Sequence, residues 1–155
     1  MKKIDNIIIH NSDSGWGTAN VIRGWHKERG WTDIGYHFVI LNGRPMSGTY
    51  FPFLDGSVET GRPLDGDGFI SAKEVGAHAL GYNDKSIGIC LIGVRDFTPL
   101  QRQRLIAVVS QLMTGFGIPL QNVLGHYETE RANGKTCPNI DMNALRRDIA
   151  LFMGA

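Results

Sequence analysis

Short runs of β-branched residues, separated by segments with helical periodicity, constrain the fold of this chain more than any other feature. Residues 7–9 are three isoleucines, and residues 35–41, 87–92 and 123–126 are further short apolar runs with the length of strands. Apolar residues recur at helical spacing in residues 18–29, 98–116 and 141–152. Strands that alternate with helices predict an α/β fold. We expect a single domain with a central mixed β-sheet of about five to six strands, flanked by about three main helices.

Capping residues mark the ends of the predicted helices. Thr18 and Asp141 stand where an N-cap is needed, and Thr98-Pro99 combines a cap with proline at the first helical position. Gly30 follows the first helical segment and is expected to end it. Helix starts and stops are therefore predicted from local chemistry alone.

Size and charge exclude several kinds of protein. A chain of 155 residues suits one domain, and its net charge of +1 lacks the basic excess that a nucleic-acid binder usually shows. The N-terminus lacks the apolar core of a signal peptide, and no segment is long and apolar enough for a transmembrane helix. We expect a protein made in the cytoplasm, with no nucleic-acid partner and no stable membrane anchor, and we favour a monomer.

The last predicted helix leaves two interpretations open. Arg146 and Arg147 adjoin an apolar face, which is weakly typical of a helix that touches an anionic membrane. A packed terminal helix with solvated arginines is the favoured interpretation.

Residues 45–74 are the least regular part of the chain. Asn42-Gly43 and Asp55-Gly56 are two hairpin-turn signals, which together predict a meander of short strands here. The segment is also rich in aromatic residues, namely Tyr50, Phe51, Phe53 and Phe69. A long loop in a compact domain is often functional, and a surface excursion packed by its own aromatics is an equally supported alternative.

Two histidines and one cysteine form a candidate metal site. His10 and His126 each end a short apolar strand, and Cys137 lies in a turn-like segment, separated from His126 by ten residues. Zinc binds imidazole nitrogen and thiolate sulfur, and three protein ligands leave a fourth position for water. Cys90 lies inside an apolar run and is expected to be a buried thiol. Spacing alone supports this ligand set and ordinary polar roles about equally.

Several spaced segments resemble one known family. The chain is similar to the zinc N-acetylmuramoyl-L-alanine amidases, which include bacteriophage amidase-type lysozymes (endolysins) and peptidoglycan-recognition proteins. The resemblance spans about residues 4 to 152, in the family's order, and is carried by Ile8-Ile9-His10, residues 25–31, residues 34–38, residues 76–79, Asn83, residues 86–89, Gly125-His126 and residues 135–138. The cytosolic recycling amidases have aspartate where this chain has Cys137, so the pattern is closer to the endolysin branch.

The resemblance implies a site and a reaction. It implies one Zn²⁺ per chain on His10, His126 and Cys137, with Tyr36 and Lys135 at the two catalytic side-chain positions. The reaction implied is hydrolysis of the amide bond between N-acetylmuramic acid and L-alanine in peptidoglycan. An endolysin of this kind lyses the host cell, and its release is expected to depend on another protein such as a holin.

Other residues of the matching segments have weaker assignments. His78 and Asn83 are predicted to bind substrate along the groove, and a structural hydrogen bond is the alternative for His78. His26, on the first helix, is expected to be a solvated or packing residue.

The departure from the family is residues 45–74, which we interpret as an inserted loop or hairpin region beside the groove. Two other functions stay open: a non-catalytic peptidoglycan-binding module of the same fold, and a phage regulatory protein that binds another enzyme.

Overall fold

A mixed five-stranded sheet with α-helices on both faces forms the body of the protein in the computed structural model, which describes residues 1–154. The strands are β1 (Lys2–Lys3), β2 (Asn6–Asn11), β3 (Phe38–Asn42), β4 (Asp55–Thr60), β5 (Phe69–Ile70), β6 (Ser86–Leu91) and β7 (Val123–Gly125). The helices are α1 (Ala19–Glu28), α2 (Pro99–Phe116) and α3 (Met142–Phe152), with short 3₁₀ turns at Pro52–Leu54, Leu120–Asn122 and His126–Glu128. The predicted α/β class is confirmed.

The order of strands in the main sheet is β4-β3-β6-β2-β7. β3, β6, β2 and β7 run parallel, and β4 is an antiparallel edge strand. β1 and β5 pair with each other in a separate two-stranded sheet. The carboxyl ends of β2, β6 and β7 therefore lie along one edge of the main sheet, where sites in such folds usually form.

Side chains of each strand alternate between two apolar clusters. Ile7 and Ile9 of β2 pack with α2 and α3 on one face, through residues such as Leu105 and Leu145. The other face packs against α1, and its cluster consists of Ala19, Ile22, Ile34, Val39, Leu41, Cys90 and Ile92. Because successive side chains of a strand point to opposite faces, His10 lies on the α1 face.

The predicted helix ends are confirmed by hydrogen bonds. The side chain of Thr18 accepts the Val21 N–H, that of Thr98 accepts the Gln101 N–H, and that of Asp141 accepts the Ala144 N–H. Gly30, with φ 89°, follows the end of α1 in the left-handed region that favours glycine.

The hairpin predicted after β3 forms, but Asp55-Gly56, one of the two predicted turns, lies within a strand. β3 and β4 pair in antiparallel fashion, and a long connection joins them. Asp55-Gly56 is not a turn, since Asp55 already pairs with Asn42 and the register then shifts. Gly56 has φ 80°, and a Cβ there would come within 3.0 Å of the Leu100 backbone oxygen. A β-bulge that approaches α2 closely therefore explains the glycine at position 56.

The C-terminal helix is packed against the sheet. Leu145 and Ile149 are fully buried, and Arg146 donates to Glu128 and to the Val123 carbonyl. These contacts support the packed-helix interpretation. Among residues 1–154, no helix has both the length and the apolar character needed to cross a membrane.

Candidate metal centre

His10 and His126 meet because their strands are parallel neighbours. The register pairs Ile9 of β2 with Gly125 of β7, so the next residue on each strand is a histidine. The two imidazole centroids are 4.6 Å apart. His10 is buried, and His126 is partly exposed where β7 turns into the 3₁₀ segment. This juxtaposition needs no side-chain contact to create it, because the sheet register alone brings the two residues together.

Cys137 is held at the same edge by backbone hydrogen bonds. The Asn11 N–H donates to Cys137 Sγ over 3.3 Å, and the Tyr127 N–H donates to the Cys137 carbonyl over 2.8 Å. The Asn11 side-chain amide also donates to the carbonyls of Val94 and Pro138. Asn11 therefore fixes the loop that carries the cysteine. Nothing in the sequence pattern singles out this residue except its position directly after His10.

The three side chains fit a zinc ion. Nitrogen atoms of His10 and His126 and the sulfur of Cys137 all lie within 4.8 Å of one another. Two imidazoles and one thiolate are a donor set that zinc accepts, and a set of three leaves one position for water or substrate. Cys90, the other cysteine, is fully buried and is not a member of this group.

The protonation of the two histidines also suits metal binding. Burial, and next the neighbouring His78 and His126, lower the pKa of His10 well below its usual range. Burial and the Lys135 charge lower the pKa of His126. Both rings are therefore neutral near pH 7 and can offer a lone pair. Burial raises the pKa of the Cys137 thiol, so a metal that binds there must displace its proton.

Tyr36 and Lys135 both adjoin this group. The Tyr36 ring centroid is 5.1 Å from that of His10, just before β3. Burial, and then the Cys90 and Cys137 thiols, raise the pKa of Tyr36 well above its usual range. Lys135 is exposed, and its positive charge helps to lower the pKa of His10, His126 and Cys137. The group thus has a neutral hydroxyl and an ammonium beside it.

The two residues predicted to bind substrate make internal hydrogen bonds. His78 is buried, with Nδ1 2.9 Å from His10 Nε2 and Nε2 3.3 Å from Ser86 Oγ. Asn83 Oδ1 accepts the backbone N–H groups of His78 and Ala79 over 2.8 and 2.9 Å. Their contact with substrate stays a prediction.

The remaining histidines bind backbone groups. His26 is buried and Nδ1 accepts the Gly35 N–H, so it is a packing residue; burial, with Arg29 and Arg62 nearby, lowers its pKa to about 4. Nδ1 of His37 accepts the Gly88 N–H, and Nε2 donates to the Glu74 carbonyl over 2.6 Å. His26 therefore connects α1 to the segment before β3, and His37 connects β6 to the segment that contains Glu74.

Several known proteins are similar to this chain in sequence. The sequence model of the family described as N-acetylmuramoyl-L-alanine amidase matches residues 1–140. The endolysin of Escherichia phage T7 is 38% identical over 130 residues, which cover 78% of this chain and 69% of that protein. The endolysin of Enterobacteria phage K11 is 36% identical over 129 residues, with the same coverage of 78% and 69%.

A solved structure with the same architecture is the N-acetylmuramoyl-L-alanine amidase LysC from Clostridium intestinale. It superposes with a TM-score of 0.73 at 27% identity, over 95% of this chain and 85% of that one. The likeness extends over nearly the whole of the present chain.

Proposed function

This chain belongs to the N-acetylmuramoyl-L-alanine amidase family and is a peptidoglycan amidase, and we propose that it is a zinc-dependent endolysin whose metal is held by His10, His126 and Cys137. The bond cleaved joins the lactyl group of N-acetylmuramic acid to L-alanine. The single observation that carries the zinc proposal is the meeting of two neutral imidazoles and one thiol within 4.8 Å. When bound, zinc supplies a Lewis acid that polarises a carbonyl and lowers the pKa of water to about 7.

Lys135 stabilises negative charge during the reaction. Addition of water to the amide carbon creates an oxyanion, and then the C–N bond breaks and the amine of L-alanine leaves with a proton. The ammonium of Lys135 is close enough for its charge to be felt at all three proposed ligands. Because the side chain is exposed, it can face an incoming substrate. A fixed positive charge at this point lowers the energy of the oxyanion.

Tyr36 acts as a hydrogen-bond donor. Its raised pKa keeps the hydroxyl protonated at neutral pH, so a phenolate base is not its role. The ring packs against His10, so Tyr36 adjoins the proposed ligand group. From there it orients the attacking water or donates to the oxyanion.

The biological role that we propose is lysis of a host cell by a phage or prophage. Two phage endolysins are more than a third identical to this chain over most of its length. The substrate is then the peptidoglycan of the host wall, which the enzyme reaches after release by another protein.

A binding module of the same fold is the alternative that this site disfavours. Such a module needs no metal, whereas Cys137 is present here and lies with both histidines. Metal analysis of the purified protein separates the two: we expect one zinc per chain, and a stoichiometry near zero would contradict the enzyme proposal.

Product analysis on defined muropeptides tests the reaction. We expect new L-alanine amino termini without new reducing sugar ends, and no new amino termini after treatment with a chelator. New reducing ends would instead identify a glycosidase. Activity that survives complete removal of zinc would contradict the proposed metal dependence.

A further inference from the structure

The imidazole of His78 lies directly behind the proposed ligand His10. His78 Nδ1 is 2.9 Å from His10 Nε2, and the two rings are nearly perpendicular, at 88°. Both side chains are buried. One ring nitrogen of His10 is thus engaged by protein, while the other, Nδ1, faces Cys137 Sγ at 3.9 Å.

The hydrogen bonds beyond His78 determine where the protons lie. Ser86 Oγ is 2.7 Å from the Tyr82 carbonyl, which can only accept, so the single hydroxyl proton is used there. Ser86 must then accept from His78, which places the His78 proton on Nε2. His78 Nδ1 is left with a lone pair and accepts the Nε2–H of His10. This order of donors leaves Nδ1 of His10 without a proton, which is the form that a metal ligand requires.

Two glycines provide the space for this ring. A Cβ at Gly88, which pairs with Ile8 in the sheet, would lie 2.7 Å from Cγ and Cδ2 of His78. A Cβ at Gly76 would lie 2.7 Å from His78 Cδ2. The backbone N–H groups of His78 and Ala79 both donate to Asn83 Oδ1, which holds the backbone at His78 in place. The surroundings of His78 are therefore built around one ring position.

We propose that His78 is a positioning residue that, through the Ser86–His78–His10 hydrogen bonds, fixes the tautomer and orientation of His10 for zinc. The inference rests on the proposed function, since it requires zinc on His10. Partners of this kind are often carboxylates, which also add negative charge to the ligand. A neutral imidazole adds none, so its contribution is to orientation and tautomer.

Zinc affinity, measured by competition with a chromophoric chelator, tests the proposal without using activity. We expect His78→Leu to bind zinc roughly 10- to 100-fold more weakly, because it leaves His10 Nε2–H without its acceptor. His78→Asn should restore most of the affinity, since its Oδ1 can take the place of Nδ1. His26→Leu is the matched control: it removes a buried histidine whose side chain accepts the Gly35 N–H and packs against Trp31 and Tyr36, and it should leave zinc affinity unchanged.

A spectroscopic test uses the unmodified protein. Two-bond ¹H–¹⁵N spectra of the zinc-loaded chain should show the protons of both His10 and His78 on Nε2. This measurement decides the matter even if His78→Leu fails to fold.

Two results would overturn the inference alone: a His10 proton on Nδ1, or equal zinc affinity in His78→Leu and the unmodified chain. Failure of the unmodified chain to bind zinc would overturn the proposed function as well, so the two failures are distinguishable.

Discussion

Two regions of the molecule each bring three potential metal ligands within 4.8 Å, and they differ in the bonds that those ligands already make. The first is the group of His10, His126 and Cys137 at the edge of the sheet, and the second is Asp65, Asp67 and Glu74 in the irregular segment before β6. We call the second group the acidic cluster. The carboxylate oxygens of its members accept hydrogen bonds from nearby backbone N–H groups. Glu74 accepts from Ser71 and Asp65, Asp65 accepts from Asp67, and Asp67 accepts from Phe69.

Proximity of candidate ligands alone does not distinguish the two regions, whereas the surroundings of those ligands do. The hydrogen bonds of the acidic cluster join residues of one short segment to one another, and two members of the cluster are exposed to water. At the edge of the sheet, the candidate ligands come from distant parts of the chain, and their nitrogen and sulfur atoms lie within 4.8 Å of one another. The hydrogen bonds of the acidic cluster thereby stabilise the irregular segment, while the edge of the sheet has the side chains of the proposed zinc site.

Cys137→Ser should have the largest effect, because it removes the thiolate of the proposed ligand group. We expect zinc to bind more than about 100-fold more weakly, since loss of a ligand's partner alone costs roughly 10- to 100-fold. Turnover on peptidoglycan should fall with it. Cys90→Ser is the matched control and should retain zinc; metal analysis of both variants makes the comparison. Full zinc binding by Cys137→Ser would remove the distinction between the two regions.

Lys135→Ala should retain zinc and lose turnover. Removal of one oxyanion-stabilising group costs roughly 100- to 1000-fold in kcat. Arg131→Ala, in the same loop and also exposed, is the control that should remain active. Steady-state kinetics on muropeptides, with zinc content measured on the same samples, separates the two effects. Normal turnover in Lys135→Ala would refute its role.

Tyr36→Phe should have a smaller effect on kcat, about 10- to 100-fold, the value of one hydrogen bond to a charged group. Since the pKa of Tyr36 is raised, its hydroxyl stays protonated, and the ratio of rates should be constant between about pH 6 and pH 9. Rate profiles of both proteins over this range test the expectation. A ratio that changes with the ionisation of Tyr36 would indicate a phenolate instead.

Glu74→Gln should lower stability by about 1–2 kcal/mol at pH 7 and leave zinc affinity unchanged. Burial would raise the pKa of Glu74, but bonds from Ser71 and Asp65 outweigh it and hold that pKa below its usual value. Its stabilising contribution is therefore complete above about pH 4.3 and is lost as the pH falls through the lower pKa of the folded state. Urea unfolding from pH 7 downward should show the two proteins converging. A constant difference would contradict this account.

Asp65→Asn combined with Asp67→Asn should have the smallest effect. The amide oxygens can still accept the N–H bonds of residues 67 and 69, and both positions are exposed, so stability should be almost unchanged. Zinc stoichiometry should stay at one per chain. A stoichiometry of two in the unmodified chain that falls to one in the variant would show that the acidic cluster is a metal site after all.

Much of the fold could be predicted from local signals. Thr18, Thr98 and Asp141 cap the helices at the expected positions, and the isoleucine runs form the central strands. The Asp55-Gly56 signal failed because positive φ at glycine suits a bulge as well as a turn, and α2 decides between them.

The sequence by itself determined which residues are able to bind a metal and where strands and helices begin. Those properties depend on side-chain chemistry and on neighbours a few residues away. Only the tertiary structure decided what each of the five histidines does. His10 meets His78 across 68 residues, His37 meets Gly88 across 51, and His126 meets His10 through the register of two strands. An imidazole can be a ligand, a partner of a ligand or a backbone acceptor, and the groups that fix its choice are close only after the chain has folded.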